Sequence, residues 1–204
     1  TLEIRPDDHP YAAGKKRAER AVLDRDIAFT VIRPTVVQGP HDPTLRPWFW
    51  IQRALDGGPV LLPDRHPEPA WNHAYSADVA ALIVRAAGNP VAFGKAYNAA
   101  GGEVVTLADY LWTIGEALGC NPQIVRAPTQ AFKERLPEYT PPFGCRFILD
   151  ITRARADLAY DPMPAVHWIR ETACWFAESY RGEDKDYLQR AGEVEFARSL
   201  THLP

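Results

Sequence analysis

Ile27-Ala28-Phe29-Thr30-Val31-Ile32-Arg33-Pro34 is the stretch on which the fold turns. Up to Ile32 it is apolar but for Thr30 and rich in β-branched residues, and Arg33-Pro34 closes it with a proline that cannot continue a ladder. A strand without alternating polar positions is covered on both faces, as in a parallel sheet flanked by helices. The spacing predicts a strand over Ile27–Ile32.

The flanking sequence agrees. Asp7-Asp8-His9-Pro10 reads as a helix start, an Asx-type cap followed by a proline suited to the first turn. Tyr11 to Asp24 then carries good helix formers, with Gly14 the only breaker. Thr44–Leu55 is a second helix, dense in aromatics (Trp48, Phe49, Trp50), and Pro59–Pro63 a brief strand. Ser76–Ala87 is a helix and Ala96–Ala99 a strand. Leu107–Leu118 is a helix that Thr106 opens and Gly119 stops. Gln123–Ala127 is a strand, and a loop with a short helix fills Pro128–Pro142. Asp150–Leu158 and Ala165–Tyr180 are helices, and the charged tail from Gly182 is partly helical with few packing signals. Helices alternating with short apolar strands make this an α/β chain with a mainly parallel sheet.

Composition narrows the function classes. The chain has 204 residues and a formal net charge of −3, so no basic footprint for nucleic acid spreads across it. No apolar run is long enough to span a membrane, and the expected location is cytoplasmic. Cys120, Cys145 and Cys174 are scattered and odd in number, which reads as reduced core thiols. Thr1-Leu2-Glu3 lacks an initiator methionine before a helix that starts almost at once. The chain is therefore expected to be the C-terminal portion of a longer protein.

Tyr11 and Lys15 stand four apart on one helix face. A phenol serves as a base at neutral pH only when its surroundings favour phenolate; a neighbouring ammonium and a helix N-terminus both do so. Such a pair suits proton exchange with a substrate hydroxyl. One Y-x-x-x-K spacing also arises by chance, as a solvated helix pair, so the rest of the chain decides.

Four further segments follow in order: Arg33-Pro34-Thr35-Val36-Val37-Gln38-Gly39-Pro40; Trp71-Asn72-His73-Ala74-Tyr75-Ser76-Ala77-Asp78; Ala96-Tyr97-Asn98-Ala99; and Asp150-Ile151-Thr152-Arg153-Ala154. With the Tyr11–Lys15 helix and its trailing Glu19, the series resembles the extended short-chain dehydrogenase/reductase family, the NAD-dependent epimerase/dehydratase group. The resemblance covers roughly residues 5 to 178. It implies the C-terminal part of a Rossmann-like parallel sheet with a small α+β substrate lobe. Residues 1–40 and 72–102 would belong to the nucleotide-binding domain. Residues 41–71 and 103–204 would form the lobe and C-terminal helices. It also implies NAD or NADP as cofactor and a small-molecule substrate, a sugar nucleotide or another hydroxyl or carbonyl compound, with a homodimer as the family-level expectation. Tyr11 would be the acid/base and also a cofactor contact, and Lys15 its activator and ribose ligand. Pro34 and the backbone near Val37 would lie against the nicotinamide. Thr35, Val36, Gln38 and His73 are the substrate-side candidates.

Three departures matter. No G-x-x-G-x-x-G turn occurs, and Gly101-Gly102 does not replace it, so the N-terminal half of the nucleotide fold and the family's catalytic Ser/Thr are expected upstream. Taken alone, these residues should bind cofactor poorly. Val36 occupies the position where sugar-nucleotide members carry an asparagine for the diphosphate, and R-P-T-V-V-x-G-P is closer to the reductase branches. Gly14 replaces the serine commonest before the lysine.

Other candidates read as packing. Trp48, Phe49, Trp50 and Trp71 suit a core more than a cleft, and Asp78 reads as a tether. His41, His66 and His73 are not spaced for zinc. Arg126, Lys133, Arg135 and Arg146 read as a solvated rim, or as a set that meets an anionic substrate group. An RNA-binding relative, as in the chloroplast stem-loop binding proteins, and a non-catalytic interaction module stay open as alternative readings; the charge and the intact Tyr–Lys pair oppose the first.

Overall fold

A computed structural model describes residue 5, residues 7–182 and residues 185–201, with the side chains of 185 and 186 left aside; Thr1-Leu2-Glu3 lies outside the described residues. Helix α1 (Pro10–Leu23) is capped by His9, whose Nδ1 accepts the Tyr11 N–H at 3.2 Å. The expected Asx cap is thus replaced. Asp8 instead binds the Arg5 N–H and the Lys16 ammonium, which holds its carboxyl below the usual carboxylate range.

Strand β1 spans Thr30–Pro34 and begins three residues later than the sequence predicts. Its partner explains the shift. The parallel strand β6 (Lys95–Ala99) supplies hydrogen bonds from Thr30↔Lys95 to Pro34↔Ala99, while Ile27 is exposed and has no ladder to join. Between them run β2 (Val37–Gln38), α2 (Arg46–Leu55), β3 (Pro59–Asp64), β4 (Ala70–Trp71), β5 (Ala74–Tyr75) and α3 (Ser76–Ala86). Helix α2 starts two residues late because Asp42 Oδ1 takes both the Thr44 N–H and its hydroxyl, and Leu45 then adopts a left-handed φ of 55°.

After β6 come β7 (Val105–Thr106), α4 (Leu107–Leu118), β8 (Gln123–Pro128), α5 (Thr129–Arg135), α6 (Thr152–Leu158), α7 (Ala165–Ser179) and α8 (Arg190–Thr201). Helix α4 has the expected ends: a reciprocal Thr106/Asp109 cap, and Gly119 at φ 67°, a conformation that favours glycine. Helix α6 starts at Thr152 because Asp150 Oδ1 holds the Thr152 N–H and hydroxyl.

The sheet consists of short pieces. β1–β6, β2–β5 and β3–β8 are parallel, and β4–β7 is antiparallel. The mainly parallel α/β expectation holds, in the form of separate two-stranded ribbons.

Two apolar clusters fill the molecule. The larger gathers α2, β3, α4, α7 and α8 around Trp50, Leu61, Tyr110, Trp168 and Phe176, and it includes all four tryptophan and phenylalanine candidates Trp48, Phe49, Trp50 and Trp71. The smaller joins Leu82, Ala86, Tyr97 and Ala99 with Ile151, Ala154 and Leu158. Residues 151–160, assigned from sequence to the lobe, thus pack on the β6 side. Lys95 and Tyr97 fix them there, meeting Asp157 at 2.8 and 2.9 Å.

The tail corrects a second expectation. Phe196 and Ala197 of α8 are buried in the larger cluster. Glu193 and Arg53 form an ion pair with both side chains 0% exposed. Arg190 adds Asp56 and the Pro59 carbonyl at 2.9 Å. The thiols differ as well: Cys145 is exposed, and Cys120 and Cys174 are half-buried.

Candidate active site

Lys15 Nζ stands 5.4 Å from the centre of the Tyr11 ring, and both residues are exposed, Tyr11 to 70%. Residues four apart drift by only about 40° around a helix, so Tyr11, Lys15 and Glu19 form one stripe. Arg33, near the end of β1, binds Glu19 through Nε at 3.1 Å and again through Nη2. The ion pair draws that stripe toward the carboxyl end of β1, the end at which open α/β sheets bind ligands.

The strand exit lies beside it. Pro34 is exposed. Thr35 is buried; its N–H donates to the Ala99 carbonyl at 3.0 Å and its hydroxyl to the Asn72 carbonyl at 3.3 Å. Val36 is half-buried and packs on the larger cluster, while its carbonyl accepts the Ala74 N–H at 3.0 Å. Val37 and Gln38 pair with Ala74 and Tyr75.

Gln38 and His73 come together, buried to within a few percent. The Gln38 amide nitrogen lies 2.6 Å from His73 Nδ1, and the Tyr110 hydroxyl donates to Gln38 Oε1 at 2.8 Å. The His73 ring stacks on Trp71 at 4.7 Å and meets the Phe143 ring edge-on at 4.7 Å. Burial drives the His73 pKa down to about 3, and the positive charge of Arg46 acts in the same direction. Burial likewise pushes the Tyr110 phenol upward, with Asp42 adding to it. Tyr110, Asp42 and Arg46 escaped the sequence reading. Tyr110 sits on the apolar face of α4 like any core residue, and its partner lies 72 positions away.

Most of the ordered motif residues are braces. Asn72 clamps Leu149, donating to its carbonyl at 2.8 Å and accepting its N–H at 3.0 Å. Asn98 donates to the Asp150 carbonyl at 2.8 Å, and Asp78 tethers the Met163 N–H at 2.9 Å. Gly101 is needed for packing, since a Cβ there would sit 2.8 Å from the His73 carbonyl.

The cationic candidates do not converge. Arg126 pairs with Glu68 at 2.6 Å and Arg135 lies over the Phe196 ring. Arg146 lines a cavity of about 470 Å³ with Arg65, His66, Thr129 and Cys145. His41 packs against Trp175. Among the described residues no group of His, Cys, Asp and Glu is arranged to hold a metal ion, and no helix is long and apolar enough to cross a membrane.

The architecture has solved counterparts. The UDP-glucuronic acid 4-epimerase of Bacillus cereus, in complex with NAD, superposes with a TM-score of 0.64 at 16% identity, over 90% of this chain and 55% of that one. The fold is that of the epimerases and dehydratases. The dTDP-glucose 4,6-dehydratase of Bacillus anthracis, in complex with NAD, matches with a TM-score of 0.64 at 17% identity, over 87% of this chain and 54% of its own. For the UDP-glucose 4-epimerase of Thermus thermophilus, in complex with NAD, the values are 0.62 and 22%, over 87% and 60%. The chain thus spans little more than half the length of these epimerase-fold proteins. No protein-family model matches the sequence, and a search of curated proteins gives no match.

Proposed function

We propose that this chain is part of an NAD(P)-dependent oxidoreductase of the extended short-chain dehydrogenase type, in which Tyr11 exchanges the proton and Lys15 assists it. One observation carries the reading: the exposed Tyr11–Lys15 pair on the stripe that Glu19 and Arg33 hold toward the end of β1. The solved neighbours of the same fold that are complexed with NAD support it.

An exposed phenol and ammonium one turn apart, with Pro34 and Val37 at the neighbouring strand exit, fit the ribose and nicotinamide end of a dinucleotide. This chain carries no Gly-rich turn for the pyrophosphate, so the reading concerns that end alone. When bound, a nicotinamide supplies or accepts hydride. With a dinucleotide bound, Lys15 would donate hydrogen bonds to the ribose hydroxyls beside Tyr11. Tyr11 Oη gives a proton to, or takes one from, the substrate oxygen, a role worth roughly 10²–10⁴ in rate. Residues 1–40 and 72–102, with α6 packed on them, form the cofactor side; 41–71 and the remaining C-terminal residues form the substrate side, with Thr35, Val36, Gln38 and His73 at the join. Lys15 and Pro34 are the cofactor-side contacts to test first.

The test is titration of the full-length gene product with NAD and with NADP, followed by Tyr11→Phe. Saturable binding of one dinucleotide, with turnover lost in the variant, is expected. Binding of neither overturns the reading.

A further inference from the structure

The hydrogen bonds around Gln38 run in one direction only. Tyr110 donates its hydroxyl proton to Gln38 Oε1, so the nitrogen end of the amide faces His73 at 2.6 Å. An amide NH₂ only donates, so His73 Nδ1 accepts. A neutral imidazole that accepts at Nδ1 carries its proton on Nε2. Among the described residues Nε2 has no hydrogen-bond partner, although His73 is only 4% exposed. The ring is fixed in place as well, stacked on Trp71 and abutted by Phe143.

From this arrangement we infer that His73 is a substrate-binding residue, a neutral Nε2–H donor for the carbonyl or hydroxyl oxygen of an uncharged small molecule. The inference rests on the proposed oxidoreductase reading for the identity of the ligand, not for the hydrogen-bond chain itself. The charged groups around it are Arg46, which acts on His73, and Asp42, which acts on Tyr110. Asp42 Oδ1 is taken by Thr44, and its buried Oδ2 has no partner among the described residues. Arg46 and burial both oppose a charged ring, so His73 offers a dipole instead of a counter-ion. Trp71 and Phe143 supply apolar walls beside the ring, and the Trp71 indole N–H, buried and without a partner among the described residues, is a second neutral donor. A small ketone or secondary alcohol suits two neutral donors set among aromatic rings.

The decisive measurement is the nitrogen spectrum of the full-length gene product labelled with ¹⁵N-histidine, His73 being assigned by its loss in His73→Gln. The expected spectrum has an unprotonated Nδ1 and a protonated Nε2 that persist to pH 5. Cyclohexanone should move the Nε2 resonance and inorganic phosphate should not. A protonated Nδ1, a ring that charges above pH 5, no response to cyclohexanone, or a response to phosphate overturns the assignment. In turnover, His73→Phe should raise KM for a ketone about tenfold, leave the KM of the dinucleotide unchanged, and be partly rescued by His73→Gln. Equal effects on both KM values mark a structural role and overturn it. If Tyr11→Phe retains turnover, the oxidoreductase reading fails while the tautomer result stands. If the tautomer is reversed, only the His73 assignment fails.

Discussion

Helices α3 and α7 invert what their sequences suggest. α3 (SADVAALIVRA) is the more apolar of the two, yet it buries only Leu82 and Ala86 and leaves Ile83 and Val84 exposed. α7 (AVHWIRETACWFAES) carries more polar residues and buries Ala165, Trp168, Ile169, Thr172, Ala173 and Phe176. The difference lies in the partners. α7 is enclosed by α2 and α4, whereas α3 shares a small cluster with β6 and α6. The same contrast separates the large apolar cluster from the side that bears Tyr11, where α1 buries only Ala13. Apolar content sets what a helix can bury; the neighbouring elements set what it does bury.

The sharpest way to break this comparison is to set two ion pairs side by side. Glu193→Gln strands the Arg53 guanidinium in the closed core and should cost about 3–5 kcal/mol in chemical denaturation. Glu19→Gln removes the open-side pair with Arg33 and should cost under about 1 kcal/mol. Equal losses would mean that the two regions are not distinct. Apolar truncation sharpens the point at slightly smaller scale. Leu111→Ala in the large cluster should lose about 2–5 kcal/mol, and Ile83→Ala on α3 about 0.5 or less, by the same measurement.

Acid should act through the buried His73. His73 ionises at about 3 when folded and near 6.5 as a free imidazole, so below pH 6.5 the unfolded chain takes up a proton that the folded chain refuses. Stability is therefore full above pH 6.5 and falls as the pH drops toward 3, with about 2 kcal/mol lost to this group at pH 5. Thermal unfolding at pH 7.5 and 5 checks it: the drop should shrink in His73→Phe, and an unchanged drop assigns the acid sensitivity to other groups.

Much of the fold was legible because its signals are local. The cap at Thr106, the stop at Gly119 and the alternation of helix with apolar strand each sit within a few residues of their effect. What escaped depends on distant partners. β1 begins where β6 can pair with it, not where its apolar run begins. The charged tail offers no apolar stripe wide enough to announce burial, because α8 enters the core through Glu193, whose partner Arg53 lies 140 positions away. In the site, Tyr11, Lys15, Glu19 and Arg33 were readable as an ordered set. The Tyr110–Gln38–His73 chain was not, since one of its members belongs by pattern to the core of α4.

The central claim is that Tyr11 handles the proton in an NAD(P)-linked reaction, and single-turnover hydride transfer by the full-length gene product carrying Tyr11→Phe tests it most directly. The phenyl ring keeps the shape of an exposed side chain, so folding and dinucleotide affinity should be preserved while the rate falls by about 10²-fold or more. A rate equal to that of the unmodified protein would contradict the account.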